Sequence, residues 1–154
     1  MGVSAESVRS FLESTSLISS VSSDKLSRFL FLYEKATKTT SVLTGMPSGG
    51  NADHGAVLAN LADAKDDAKR WEILVQENRK LVAQFLNDAE IDDYYRDLLI
   101  RRYVMGMGWS LIYLMLRDTK EISERKMYYD HTKALEACAD WVNRTGKYKE
   151  VFEK

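Results

Sequence analysis

Nine positions between Val57 and Phe85 recur at alternating steps of four and three: Val57, Leu61, Ala64, Ala68, Trp71, Val75, Asn78, Val82 and Phe85. Eight of them are apolar, which is the heptad pattern that seats one helix against another. No comparable stretch alternates with period two, so the spacing points to an all-α chain. It predicts one helix from Gly55 to Asn87, roughly 50 Å long at about 1.5 Å per residue. A rod of that length outruns a compact domain of this size. It must pack along residues 24–44 as a hairpin, along a second subunit, or both. We expect self-association through Leu61, Ala68, Trp71, Val75, Asn78, Val82 and Phe85. Asn78 on the seam either fixes the register of an oligomer or is an ordinary solvated polar residue.

The remainder of the arm reads as shorter pieces. Val3 to Ser14 suits a short helix with Val8, Phe11 and Leu12 on one face, and the Ser-rich run Ser14 to Ser23 reads as a loop. From Asp24 to Thr44 a second helix is expected, with Leu26, Phe29, Leu30, Tyr33, Ala36 and Leu43 as its apolar stripe. Gly45 to His54 holds the one proline and three glycines, which marks a flexible loop. It lacks the Gly-Lys-Ser/Thr ending of a phosphate-cradling loop and follows a helix rather than a strand. The expected organisation is a helical arm over 1–90, a helix-turn-helix domain over 91–145 and a frayed tail over 146–154.

Within the second part, Ile91 to Met105 reads as a helix that stops at Gly106 and Gly108. Trp109 opens an apolar helix to Leu116, followed by a polar turn from Arg117 to Glu121. Trp109 is expected to anchor the core against Tyr103, Ile112 and Leu135. Ser123 can cap the next helix, with Glu124 in the first turn where the helix dipole favours an acid. Met127, His131, Ala134, Leu135, Cys138 and Trp141 then mark a buried face. The other face carries Arg125, Lys126, Tyr128, Tyr129 and Lys133. A capped helix with a basic, aromatic outer face, following a helix and a turn, is the layout of a DNA recognition helix. On that reading Ser123, Arg125, Lys126, Tyr128, Tyr129 and Lys133 contact DNA, the lysines at phosphates and Arg125 with Tyr129 at base edges.

The run LLIRRYVMGMGW, then Ile112 and Leu116, then SERKMYYDHTKAL, resembles the C-terminal domain of RinA/ArpU-like phage transcriptional regulators. That domain is similar to region 4 of bacterial sigma factors. The residues that carry the resemblance are Leu99, Arg102, Tyr103, Gly106, Trp109, Ile112, Leu116, Ser123, Arg125, His131, Ala134 and Leu135. It extends over about residues 95–141 and, by architecture alone, over 24–90. It implies a homo-oligomeric regulator of double-stranded DNA in the bacterial cytoplasm. Activation of late phage genes and contact with RNA polymerase are part of the same implication.

Charge supports an anionic partner only weakly. The whole chain is near neutral, but from Tyr95 onward it holds 12 basic and 9 acidic residues, against 10 and 14 before that point. The lone Cys138 allows no internal disulfide and suits a reducing compartment. The start MGVSAESVRSF lacks the apolar core of a signal peptide, and no apolar run approaches the ~20 residues of a membrane span. With two histidines and one cysteine, no zinc spacing is present. The acids Asp63, Asp66 and Asp67, and Asp88, Glu90, Asp92 and Asp93, lack the paired helical spacing of a magnesium-dependent pyrophosphatase. We therefore expect no enzyme activity, metal or cofactor.

Two other functions fit the same pattern. A small-terminase-like packaging protein also joins a helix-turn-helix to an oligomerising arm. A protein-binding module that has lost DNA would use the middle helix, where Leu111 to Leu116 is apolar all round and one face must meet something beyond a small core.

Overall fold

The computed structural model describes the backbone of residues 2–43 and 51–153 and the side chains of 2–38 and 55–153. It is all-helical, with no strand among the described residues. Helix α1 runs Ala5–Leu43, α2 Asn51–Asp88, α3 Asp93–Leu99, α4 Trp109–Lys120, α5 Glu124–Thr145 and α6 Lys149–Phe152. A π-helical turn, Ile100–Val104, extends α3. Among the described residues no helix is long and apolar enough to cross a membrane.

Two helices where three pieces were expected form the hairpin. The Ser-rich stretch does not break α1. It contains no Gly or Pro, and its hydroxyls can bond within the helix, as Ser14 Oγ does to the Phe11 carbonyl at 2.5 Å. Most of the expected loop over 45–54 lies outside the described residues, and Asn51 to His54 already belong to α2.

The chain divides into two compact units, residues 17–76 and residues 1–16 with 77–154. In the first, the less exposed positions of α1 include Ile18, Ser22, Lys25, Phe29, Leu32 and Ala36, a three-four spacing that matches that of Val57, Leu61, Ala64, Ala68, Trp71 and Val75 on α2. Lys25 and Asp67 form an ion pair at 3.0 Å on one flank. The expected α1 stripe is therefore corrected: Phe29 and Ala36 face inward, whereas Leu26, Leu30 and Tyr33 are exposed.

The second unit has the larger core. Val8 and Leu12 of α1, Val82, Phe85 and Leu86 of α2, and Leu135, Cys138, Trp141 and Val142 of α5 share one buried cluster. Phe85 meets Phe11, Trp141, Tyr148 and Phe152 edge-on. The tail expected to fray is thus held in place, because α6 returns Tyr148 and Phe152 to the aromatic cluster. The α2 seam is also spent within the chain. Val82 and Phe85 are fully buried, Val75 nearly so, and Leu61, Ala68 and Trp71 half-buried. Asn78 donates from Nδ2 to Ser14 Oγ at 3.0 Å. Each of the seven expected seam residues is thus at least partly buried in the single chain.

Arg96 holds the end of α2. Its guanidinium donates to the carbonyls of Leu86 at 3.0 Å and Ala89 at 2.7 Å, groups that a helix C-terminus leaves unpaired.

A candidate nucleic-acid interface on α5

Only Glu121 to Ser123 separate α4 from α5. Arg117 to Lys120, expected as a polar turn, continue α4 for another turn. That stretch has neither Gly nor Pro, and the helix ends where Glu121 takes a left-handed conformation at φ 50°. Ser123 caps α5 as its position suggests: its hydroxyl accepts from the Lys126 N–H at 3.1 Å. Its side chain is therefore committed to the helix start.

A second cluster seats the first half of α5. Leu98, Ile112, Leu116 and Met127 are buried together, with Tyr94, Met107, Trp109, Tyr113 and Ile122 around them. Trp109 lies edge-on to His131 at 4.7 Å and to Tyr128 at 5.3 Å, and Arg102 stacks over its ring at 4.8 Å. The expected anchor is half right. Trp109 belongs with Ile112, whereas Tyr103 and Leu135 fall in the other cluster. His131 is buried as its spacing suggests, and its partner is the Tyr103 hydroxyl at 2.7 Å.

Asp130 was missed in the sequence. It is 3% exposed, and its carboxylate accepts from the Tyr94 hydroxyl at 2.8 Å and from Lys126 Nζ at 3.1 Å. Burial, then the bond to Asp130, raises the Tyr94 phenol well above its ordinary range. The signal available was the four-residue step from Lys126 to Asp130, which places the two on one helix face.

The outer face therefore divides by chemistry. Lys126 is tied to a buried carboxylate. Lys133 pairs with Glu136 at 3.3 Å and lies over the Tyr129 ring at 5.3 Å. Glu136 raises the Lys133 pKa through the hydrogen bond. Arg125 is exposed and has no ion pair among the described residues. Tyr128 and Tyr129 are 45% and 59% exposed, so their rings are accessible beside it. An unpaired guanidinium in the first turn of a capped helix, next to two open phenols, can both meet a phosphate and reach a base edge.

Comparison with known proteins adds no relative. No protein-family model, curated protein or solved structure matches the chain. Among the described residues no group of three His, Cys, Asp or Glu side chains could hold a metal ion.

Proposed function

We propose that the protein is a phage-encoded, DNA-binding transcriptional regulator that acts as a homo-oligomer, with α5 as its recognition helix. The observation that carries this reading is the outer face of α5. Arg125 is unpaired, Tyr128 and Tyr129 are open, and the helix follows α4 after three residues with a Ser cap. The resemblance of residues 95–141 to RinA/ArpU-like regulators supports late-gene activation with RNA polymerase as a partner. Of the basic residues, Arg125 is the principal reader, because Lys126 and Lys133 already have carboxylate partners. Selection of bound fragments from a random duplex library tests the proposal. A recovered motif whose enrichment disappears in Arg125→Ala is the expected result, and no enrichment at any salt concentration overturns it.

A protein-binding role is the second reading, and α4 favours it. Leu111, Leu114 and Met115 are 50%, 46% and 43% exposed on one helix, a patch that scattered surface apolar residues do not make. In the regulator reading this patch meets polymerase. In the second reading it is the whole function.

A further inference from the structure

The first half of α5, from Glu124 to Glu136, balances three bases, Arg125, Lys126 and Lys133, against three acids, Glu124, Asp130 and Glu136. Two of the bases are held by two of the acids, and the two pairs differ in their surroundings. Lys133 and Glu136 meet at 3.3 Å with side chains 41% and 47% exposed, so water screens the pair and competes for both partners. The Asp130 side chain is only 5% exposed, and Lys126 Nζ reaches back to both of its oxygens, at 3.1 and 3.3 Å. The Tyr94 hydroxyl donates to one of those oxygens at 2.8 Å. With Lys126 turned outward, the buried carboxylate would keep this one neutral donor among the described residues, a costly arrangement for a buried charge. Releasing Lys133 costs little by comparison, because Glu136 passes into water.

We infer that Asp130 withholds Lys126 from nucleic acid and so lowers the affinity of α5 for any duplex, whereas Lys133 stays available to a phosphate. The inference rests on the DNA-binding reading and deepens it, since it names the residue that restrains the interface. Asp130 does not touch the ligand; it is a positioning residue that acts through Lys126. A duplex phosphate offers a lysine one negative charge that is still solvated. Asp130 offers the same charge already desolvated, one turn away on the same helix, with no freedom of association to give up. A phosphate therefore draws Lys133 from Glu136 before it draws Lys126 from Asp130. Phosphates carry no sequence, so the restraint acts alike on selected and random duplexes, apart from base reading by Arg125.

The probe is a fluorescein-labelled, mixed-sequence duplex of about 20 base pairs, titrated with the full chain by fluorescence anisotropy between about 50 and 200 mM salt. Each lysine that meets a phosphate contributes about one to the slope of log K against log salt. Lys133→Ala should flatten that slope by about one, and Lys126→Ala should leave it at the wild-type value. Asp130→Asn keeps an acceptor for Tyr94 but loses the charge, so Lys126 comes free. Its slope should steepen by about one, and its affinity at about 150 mM salt should rise about three- to ten-fold. Lys126→Ala/Asp130→Asn, which has the net charge of wild type, should return to the wild-type slope. A Lys126→Ala chain whose slope flattens as much as that of Lys133→Ala overturns the inference, whatever becomes of Asp130→Asn. An unchanged slope in a folded Asp130→Asn also overturns it, as does a double variant that keeps the gain, since loss of an acid alone would then suffice. A slope indifferent to Lys133→Ala overturns the availability of Lys133. A wild-type chain that binds no duplex at any salt overturns the DNA-binding reading together with this inference; every other outcome leaves that reading standing.

Discussion

The Tyr103 hydroxyl lies 2.7 Å from Nε2 of His131, joining the turn after α3 to the inner face of α5. Both groups are held neutral. Burial raises the Tyr103 phenol. Burial, then the nearby positive charges of Arg9 and Arg102, lowers His131 to about 4. The unfolded chain takes a proton on this imidazole near pH 6.5, the folded chain only near 4. The stability this difference represents is present above pH 6.5 and is lost as pH falls through that window. The difference in unfolding free energy between wild type and His131→Phe should shrink from pH 7 to pH 4 by at most about 3 kcal/mol. Chemical denaturation at several pH values measures it; a constant difference would mean that the imidazole protonates freely in the fold.

Lys126→Ala should destabilise the protein by about 1–2 kcal/mol, since it leaves the buried Asp130 carboxylate with Tyr94 alone. Asp130→Asn in the same chain should recover part of the loss. Thermal melts of the four members of this cycle give the coupling, and additive effects would show that the Lys126–Asp130 contact contributes nothing.

Arg125→Ala should leave the melting temperature near wild type, because the side chain is exposed and unpaired. On a selected DNA site it should lose about 1–3 kcal/mol of binding, and little on random duplex. Equal losses on both would make Arg125 a phosphate contact, and no loss on either would remove α5 from the interface.

Trp109→Ala should cost about 2–3 kcal/mol, less than a fully buried tryptophan. The ring is half-buried and touches His131, Tyr128 and Arg102 rather than the larger core. A melting temperature unchanged from wild type would mean that these ring contacts stabilise nothing.

Removal of residues 148–154 should lower stability by about 2–4 kcal/mol, since Tyr148 and Phe152 leave the ring cluster around Phe85. A truncated chain with wild-type denaturation would show that α6 rests on the core without supporting it.

Periodicity made much of this molecule readable. The steps of four and three in α2 place Val75, Val82 and Phe85 inside, and the inner face of α5 follows the same logic from Met127 to Trp141. Ser123 is a cap because its hydroxyl and its place before the helix suffice locally. What escaped depends on distant partners. The Ser-rich stretch of α1 looks like a loop in isolation, yet it continues the helix, with Ile18 and Ser22 half-buried. Of the two apolar lines on α1, Leu26–Leu30–Tyr33 looks richer than the one that packs, and only the position of α2 decides between them. Asp130 reads as a surface acid until Tyr94, 36 residues earlier, is brought to it. The basic face of α5 was legible as a set of residues, but not its neutralisation at Lys126 and Lys133.

Val8 and Leu12 share a buried cluster with Leu135, Trp141 and Val142, and the Val3 N–H and carbonyl both bond to the Asn143 side chain, at 2.7 and 2.9 Å. During synthesis this has a temporal meaning. The first turns of α1 leave the ribosome long before α5 exists, and their apolar face waits uncovered until nearly the whole chain has been made. Closing a contact across 140 residues is a slow, late event in folding. The hairpin unit, whose two helices follow each other directly, is free to pair meanwhile. The order of assembly is therefore middle first and ends last, and the early part of α1 is the segment most exposed to holding factors and proteases while the protein is being made.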